Sequence, residues 1–374
     1  MKIYLIGPTH PFRGGISHHT TLLYRYLQKR HESIFLAFKR QYPKLFFPGK
    51  TDIDPSQTHI KEERVYRKLD SMNPISWFKV ARKIIKSDPD LVIIPWWTFF
   101  WAPQFWTISL LIKIFTSSKI LFICHNVVMH ESKLIDKLST KFVLKNGDFF
   151  IVHSEDDQRN LLTMFPEARV KKSFHPTYDV FNTGGFDPYK IRKKYGIEGK
   201  VILFFGFVRE YKGLKYLIKA MPEILFEITV TLLIVGEFWQ DKDEYLYLID
   251  NLGIKDNIII IDDYIPNEEV GSYFVAADLV VQPYTSATGS GIVQMAFGFN
   301  KPVVATMVGS LPEVVEDGKT GYLVQPRSSQ ELAEAIVKYF RENSAVRFKK
   351  NIEQESYKFS WDRMVDDIEN LFDS

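Results

Sequence analysis

Cysteine is nearly missing from this chain: Cys124 is the only one in 374 residues. One thiol can close no internal disulfide and build no cysteine-based metal cluster, and such scarcity suits a reducing cytoplasm. Low-complexity tracts and short-period repeats are absent too, which excludes solenoids and disordered tails as the main architecture. The net charge is only +3, so the whole chain gives no ground for a nucleic-acid partner. A long apolar leader is also lacking. MKIYLIGPTHPF has one lysine and a short apolar run that stops at Gly7-Pro8, too short for a signal sequence and the right length for a first β-strand.

One uncharged stretch, from Leu91 to Ile112, is long enough to span a bilayer. Pro95 and Pro103 break it, and Trp96, Trp97, Trp101 and Trp106 crowd it. It reads instead as a buried parallel strand, an aromatic loop, and a helix from about Pro103 to Phe115. Indole rings favour the membrane interface, so the Trp96–Trp101 loop is a candidate for surface contact with a membrane; buried packing is the alternative.

What is present is a globular composition, 45% hydrophobic and 25% charged, long enough for two α/β domains. The charge is unevenly placed. Residues 1–180 hold 27 Lys and Arg against 16 Asp and Glu, a net of +11, while residues 181–374 net −8. A basic first half points to an anionic partner, such as a phospholipid surface or a phosphorylated acceptor, or reflects uneven lysine usage.

Strand-like runs occur at Ile3-Ile6, Ile34-Phe38, Leu91-Ile94, Ile120-Cys124 and Phe149-Val152. A second series follows at Ile202-Phe205, Thr229-Val235, Ile258-Ile261, Leu279-Val281, Val303-Ala305 and Gly321-Val324. Helical patterns separate them, including Thr20-Gln28, Leu134-Leu144, Leu214-Met221, Asp243-Asn251 and Gln330-Phe340. Alternation of this kind predicts right-handed βαβ units and parallel sheets. The Gly-, Pro- and Lys-rich gap from Pro176 to Lys200 reads as a linker. The expected division is a first Rossmann-like domain at 1–178, linker at 179–200, a second domain at 201–355, and a last amphipathic segment at 356–374.

Ligands of open α/β sheets sit beyond the carboxyl ends of the strands, so chemistry is sought there. After the first strand, Gly14-Gly15 opens a helix, a turn through which backbone can approach an anion. After the fourth come His125-Asn126, with His130 and Glu131 close behind; a structural histidine is the alternative, and no metal-ligand spacing accompanies it. The second half is more informative. Gly206 ends a strand and is followed by Arg209 and Lys212, two cations at a strand-to-helix turn suited to a diphosphate. Further on, Gly289, Ser290 and Gly291 start a helix whose backbone N–H groups form an anion nest, with Gln294 one turn in. The Asp52/Asp54, Asp88/Asp90 and Asp241/Asp243 pairs lie away from strand ends in the required sense and read as structural, so no metal site is assigned.

With those residues in place the second half resembles glycosyltransferase family 4, retaining enzymes of the GT-B fold. The likeness rests on FFGFVREYKGLKYLIKA, LLIVGE, IIIIDDYIPNEEV, TGSGIVQMAFGFNKPVVAT and GSLPEVVEDGKTGYLVQP, which cover nearly all of residues 201–326. GPTHPFRGGISHHT and ICHNVVMHES resemble the family's N-terminal motifs more loosely. FSWDRMVDDIENLF resembles its last helix, which crosses back onto the first domain. The resemblance implies two Rossmann-like domains facing each other across a cleft. It also implies transfer of a sugar, of hexosyltransferase type, from a nucleotide-diphosphate donor to an acceptor hydroxyl, with configuration retained and neither cofactor nor metal. The acceptor would be a sugar, a lipid-linked sugar or a glycan, in cell-surface polysaccharide or glycolipid synthesis. The chain would be cytoplasmic, or peripheral at an anionic inner membrane face.

Carried over residue by residue, Arg209 and Lys212 would hold the donor diphosphate beside Gly206, and the backbone of Gly289, Ser290, Gly291 and Ile292 would cap its distal phosphate. Tyr264 and Ile265 would lie near the nucleobase, Gly14 and Gly15 near the phosphates, and His125 near the transferred sugar. Glu313 would shape the donor loop. Two departures stand out. Phe207 occupies the position where the family usually has its first arginine, and Ser286 and Gln294 stand where it has two glutamates. The lost glutamates leave one rival open, a nucleotide-sugar-binding subunit without turnover; a second, on the same fold, is a nucleotide-sugar epimerase.

Overall fold

A computed structural model describes the chain apart from residues 43–50, 58–59, 63, 128–133 and 240–241. His130, Glu131 and Asp241 lie outside the described residues. The chain divides into two compact units, one of Met1–Pro55, His59–Phe174 and Trp361–Ser374, the other of Ser56–Thr58 and His175–Ser360.

In the first unit, seven strands form one parallel sheet: β1 (Lys2–Gly7), β2 (Glu32–Arg40), β3 (Val65–Asp70), β4 (Leu91–Trp96), β5 (Lys119–Cys124), β6 (Phe149–Val152) and β7 (Arg169–Lys172). Their order is β3-β2-β1-β4-β5-β6-β7, so the winding reverses between β1 and β4. The helices are α1 (Gly15–Leu27), α2 (Pro74–Ser87), α3 (Ala102–Phe115), α4 (Leu134–Leu144) and α5 (Glu155–Met164). Every residue of β4 is buried, as expected for a strand covered on both faces. Pro95 is tolerated there because the ladder to β1 ends at the Leu5–Ile93 pair.

β3 (VYRKLD) and β7 (RVKK) went unpredicted, and both are sheet edges. An edge strand is partnered on one side and keeps charges that discourage further pairing, so neither resembles an apolar run. The aromatic loop, read as a candidate for membrane contact or for buried packing, is mixed: Phe99 and Phe100 are exposed, while the tryptophans at its two ends pack inward. Trp96 and Trp101 are each 1% exposed. Trp101 packs 5.4 Å from Phe38 and 5.6 Å from Trp97, measured between ring centroids. Among the described residues no helix is long and apolar enough to cross a membrane.

The second unit has a six-stranded parallel sheet: β8 (Lys200–Phe205), β9 (Val230–Val235), β10 (Ile258–Ile261), β11 (Leu279–Gln282), β12 (Val303–Thr306) and β13 (Gly321–Val324). The order β10-β9-β8-β11-β12-β13 reverses between β8 and β11. Its helices are α6 (Pro188–Tyr195), α7 (Leu214–Glu227), α8 (Lys242–Asn251), α9 (Asn267–Ala276), α10 (Gly291–Gly298), α11 (Leu311–Val314), α12 (Ser329–Arg341) and α13 (Ala345–Gln354). Ile202, Phe204, Leu217, Ile218, Leu232 and Ile336 meet in one of its cores. The stretch read as a bare linker holds α6 and packs in this unit, where Arg192 pairs with Asp278 at 2.7 Å. α7 runs through Pro222, six residues beyond the expected end at Met221, because its apolar stripe continues to Ile224.

The last segment is not one helix from Ser356. A 3-10 turn at Ser356–Phe359 ends in the second unit, and α14 (Trp361–Asp373) belongs to the first. It buries Trp361, Met364, Val365 and Ile368 and packs on α1. Arg30 beside α1 ties it down, reaching Asp366 at 2.7 Å and Glu369 at 3.0 Å.

Candidate functional site

The winding reversal in the second unit places the carboxyl ends of β8 and β11 side by side, where the crevice of a doubly wound sheet lies. The two motifs singled out from the sequence leave from those two ends. Gly206, with φ +101°, turns the chain out of β8, and a Cβ there would come within 3.0 Å of Lys212 Nζ and 3.3 Å of Ile292 Cδ1. The Lys212 ammonium therefore lies against bare backbone and against the first turn of α10. Arg209 opens the 3-10 turn Glu210–Lys212, its carbonyl accepting from the Lys212 N–H at 3.0 Å. Gly213 closes the turn at φ +66°; a Cβ there would meet the Pro283 carbonyl oxygen at 1.9 Å. Only glycine fits, because the loop leaving β11 crosses at that point.

Lys212 is 8% exposed. Among the described residues neither it nor Arg209 makes an ion pair with a carboxylate. Burial, and secondarily the Arg209 guanidinium, pull the Lys212 ammonium below its usual pKa; Tyr211 opposes them. Two adjacent cations, one desolvated and both without a counter-anion among the described residues, suit an anion.

From β11, Gln282 and Tyr284 hold the glycine turn. The Ser290 hydroxyl accepts from the Ile292 N–H at 3.2 Å, donates to Gln282 Oε1 at 3.2 Å and lies 3.3 Å from the Tyr284 hydroxyl. This N-cap leaves the other amides at the start of α10 directed outward. The loop of α11 supports the turn from behind, since the Ser310 N–H donates to the Thr288 carbonyl at 3.1 Å. Glu313 sits on α11, half-buried. Gln294 is 1% exposed and its Oε1 accepts no hydrogen bond among the described residues. Ser286, half-buried, lies between Tyr284 and the glycine turn. Tyr264 and Ile265 follow β10, and Tyr264 joins an aromatic group that the sequence did not advertise. Phe207 lies 4.6 Å from Trp239 and 6.2 Å from Tyr264, and the Arg209 guanidinium sits 5.1 Å from the Trp239 centroid. Phe207 thus packs on Trp239 where an arginine was expected. Trp239 was findable in principle, four residues past the end of β9.

In the first unit, Gly14, with φ +110°, precedes α1, and Gly15 is its first residue. His125 follows β5, its backbone N–H donating to the Trp96 carbonyl at 2.8 Å. Two further histidines, distant in sequence, pack around it. His19 of α1 lies 4.6 Å from it and His153, after β6, lies 5.1 Å from it, between ring centroids. Trp361 of α14 closes over His19 at 5.0 Å. Burial pushes His153 down to about 4, although its Nδ1, 2.8 Å from the Ser173 carbonyl, opposes the shift. Of the aspartate pairs, Asp54 lies 3.7 Å from His18, Asp90 accepts from the Lys2 N–H at 2.6 Å, and Asp88 accepts from the Ser118 hydroxyl at 3.4 Å.

Two family models match in tandem: one described as Glycosyltransferase Family 4 over residues 13–171, and one described as Glycosyl transferases group 1 over residues 199–342. Together they take in most of the chain, which belongs to the glycosyltransferases of this family and has their GT-B type of fold. Among curated relatives, an uncharacterized glycosyltransferase of Methanocaldococcus jannaschii is 27% identical over 55% of this chain and 54% of its own length. A D-inositol 3-phosphate glycosyltransferase of Corynebacterium aurimucosum is 27% identical over 62% of this chain and 58% of its own. The match thus spans little more than half the length of these relatives. Of solved structures, Anabaena Alr3699/HepE in complex with UDP superposes with a TM-score of 0.74 over 99% of each chain at 20% identity. Sucrose-phosphate synthase from Thermosynechococcus elongatus does so with 0.71 over 100% of this chain and 98% of its own at 18% identity. At such identities the likeness is one of fold.

Proposed function

We propose that this protein transfers a sugar from a nucleotide-diphosphate donor to an acceptor hydroxyl, with retention of anomeric configuration. The observation that carries the reading is Lys212, a buried ammonium beside Arg209 with no carboxylate paired to it among the described residues. A diphosphate supplies the missing charge, and supplies more of it as the bond to the sugar breaks. In the step proposed, the sugar C1–O bond to the diphosphate breaks, the acceptor oxygen bonds to C1 on the same face, and the acceptor proton passes to the departing diphosphate. Arg209, Lys212 and the amides at Gly289, Ser290, Gly291 and Ile292 stabilise that leaving group, so the step is written without a metal. Gln294 Oε1 accepts from a ribose hydroxyl. Ser286 leaves room where the family has a carboxylate. Gly15 and His125 rest on resemblance alone, and His125→Ala tests the latter.

A sugar-bearing lipid or a growing glycan is the proposed acceptor class, which puts the working protein at an anionic membrane surface. UDP is held by the Anabaena protein, so uridine is the first nucleoside to screen. Purified protein is incubated with UDP-, GDP- and ADP-sugars and followed by NMR. Consumption of one donor with an α- or β-product matching that donor's configuration supports the reading. An isomerised donor without transfer would replace it with epimerase chemistry. Binding without turnover would replace it with a carrier role, which the loss of both family glutamates makes the specific rival.

A further inference from the structure

Each sheet ends in two edge strands, and three of these four edges are guarded. β3 and β7 read VYRKLD and RVKK, and their cations discourage pairing with a copy of themselves. β13 is largely buried, with α12 packed beside it. The fourth edge, β10, is Ile258-Ile259-Ile260-Ile261, every side chain half-buried and none charged. It pairs in parallel with β9 alone. In a parallel ladder alternate residues bond to the neighbouring strand. The Ile261 carbonyl accepts from the Gly236 N–H at 2.9 Å, just past the end of β9, so Ile259 and Ile261 face β9. Ile258 and Ile260 turn their backbone groups to the open side. There the Ile258 N–H closes the 3-10 turn Lys255–Asn257 onto the Lys255 carbonyl. Among the described residues nothing bonds the Ile258 carbonyl or the Ile260 N–H and carbonyl. α8, the crossover leading into β10, exposes Leu246 to 38% and Tyr247 to 70%.

We propose that β10 pairs antiparallel with β10 of a second copy of this chain, joining two six-stranded sheets into one across a two-fold axis. The register follows from the open groups, which must face each other. Ile258 of one copy stands opposite Ile260 of the other, and Ile259 opposite Ile259. The Ile260 N–H of each copy then donates to the Ile258 carbonyl of the other. Moving the axis by one residue either way would set an isoleucine against Asp262 or Asp256. The same register brings Lys255 of each copy against Asp263 of the other. Lys255 is 80% exposed, with only Asp250 near it at 3.9 Å on the surface, and Asp263 is exposed. Asp256 comes to face Asp262, whose charge Lys242 already holds at 2.7 Å. The axis stands perpendicular to the sheet, so the two α8 helices meet on one face and cover Leu246 and Tyr247. A second copy suits the edge better than a foreign peptide, because isoleucines and flanking charges are complementary to themselves under the two-fold. Both edges are consumed, so assembly closes at two copies. The dimer needs nothing from the donor site.

Light scattering of the full chain across a dilution series, without any nucleotide or sugar present, tests the dimer. The mass of two chains is expected at the concentrated end, falling to that of one on dilution. Lys255→Glu sets like charges together at two symmetric places and is expected to weaken the dimer on the order of tenfold. Lys255→Glu/Asp263→Lys reverses both partners and is expected to restore it. Ile260→Pro removes both donors that cross the axis, at an edge position where proline is tolerated, and is expected to be monomeric. Far-UV circular dichroism of all three variants is expected to match the wild type. A wild type that is monomeric at every concentration overturns the proposal and would leave the edge to an extended segment of another protein. A dimer that Lys255→Glu and Ile260→Pro leave intact overturns it too, by placing the interface on another face. So do a Lys255→Glu loss that the double variant fails to restore and growth beyond two copies.

Discussion

Lys212 sets function against stability within one side chain. Burying an ammonium without an anion costs free energy, and a diphosphate returns it. Lys212→Met keeps the length and removes the charge. The unliganded variant is expected to melt higher than the wild type by several degrees, a change that calorimetry reads directly. The same variant is expected to lose on the order of 10²–10³ in kcat/KM, a loss that sugar-transfer kinetics measures. A lower melting point with full turnover would place the cation in the folding of the turn rather than in chemistry. His153 makes the second prediction at this scale. Its folded pKa, about 4, lies below the ordinary histidine value, so the unfolded chain binds the extra proton between about pH 4 and 6.5. Its contribution is complete above that window and is lost as pH falls through it, up to about 3 kcal/mol. Denaturant melts of wild type and His153→Gln across pH 4–7 are expected to converge at the acid end, because the variant lacks that slope.

At the scale of elements, the glycine turn before α10 depends on one hydroxyl. Ser290→Ala removes the acceptor for the Ile292 N–H and the link to Gln282. About 1 kcal/mol of stability is expected to go, together with donor affinity. Gly213→Ala is expected to be worse, since its Cβ would collide with the Pro283 carbonyl at a left-handed φ. Urea melts separate the two. Most elements were legible because buried parallel strands are short apolar runs and their crossover helices carry a clear stripe. β3 and β7 were not, since an edge strand hides its single buried face behind charge. α7 overran because Pro222 reads as a stop, whereas the packing of Leu217, Met221 and Ile224 carries the helix past it.

At the scale of the whole molecule, the chain closes on itself through α14, which the sequence placed as a docking helix and which packs on α1. Trp361→Ala is expected to cost about 3–5 kcal/mol in the first unit, because the indole is buried over His19. The site shows where reading a sequence runs out. Arg209, Lys212 and the 289–292 turn were findable because each motif is local and follows a strand end. The grouping of His19, His125 and His153 was not, since three separate elements must fold before the rings meet. The aromatic set of Phe207, Trp239 and Tyr264 is hidden for the same reason.

Calorimetric titration of UDP, GDP and ADP into wild type and Lys212→Ala tests the central claim most directly. The account predicts that at least one nucleoside diphosphate binds the wild type, and that the substitution weakens it by tenfold or more, as expected for loss of a charge-assisted contact of about 1.5–3 kcal/mol. No binding by any of the three, or equal binding by both proteins, would contradict it.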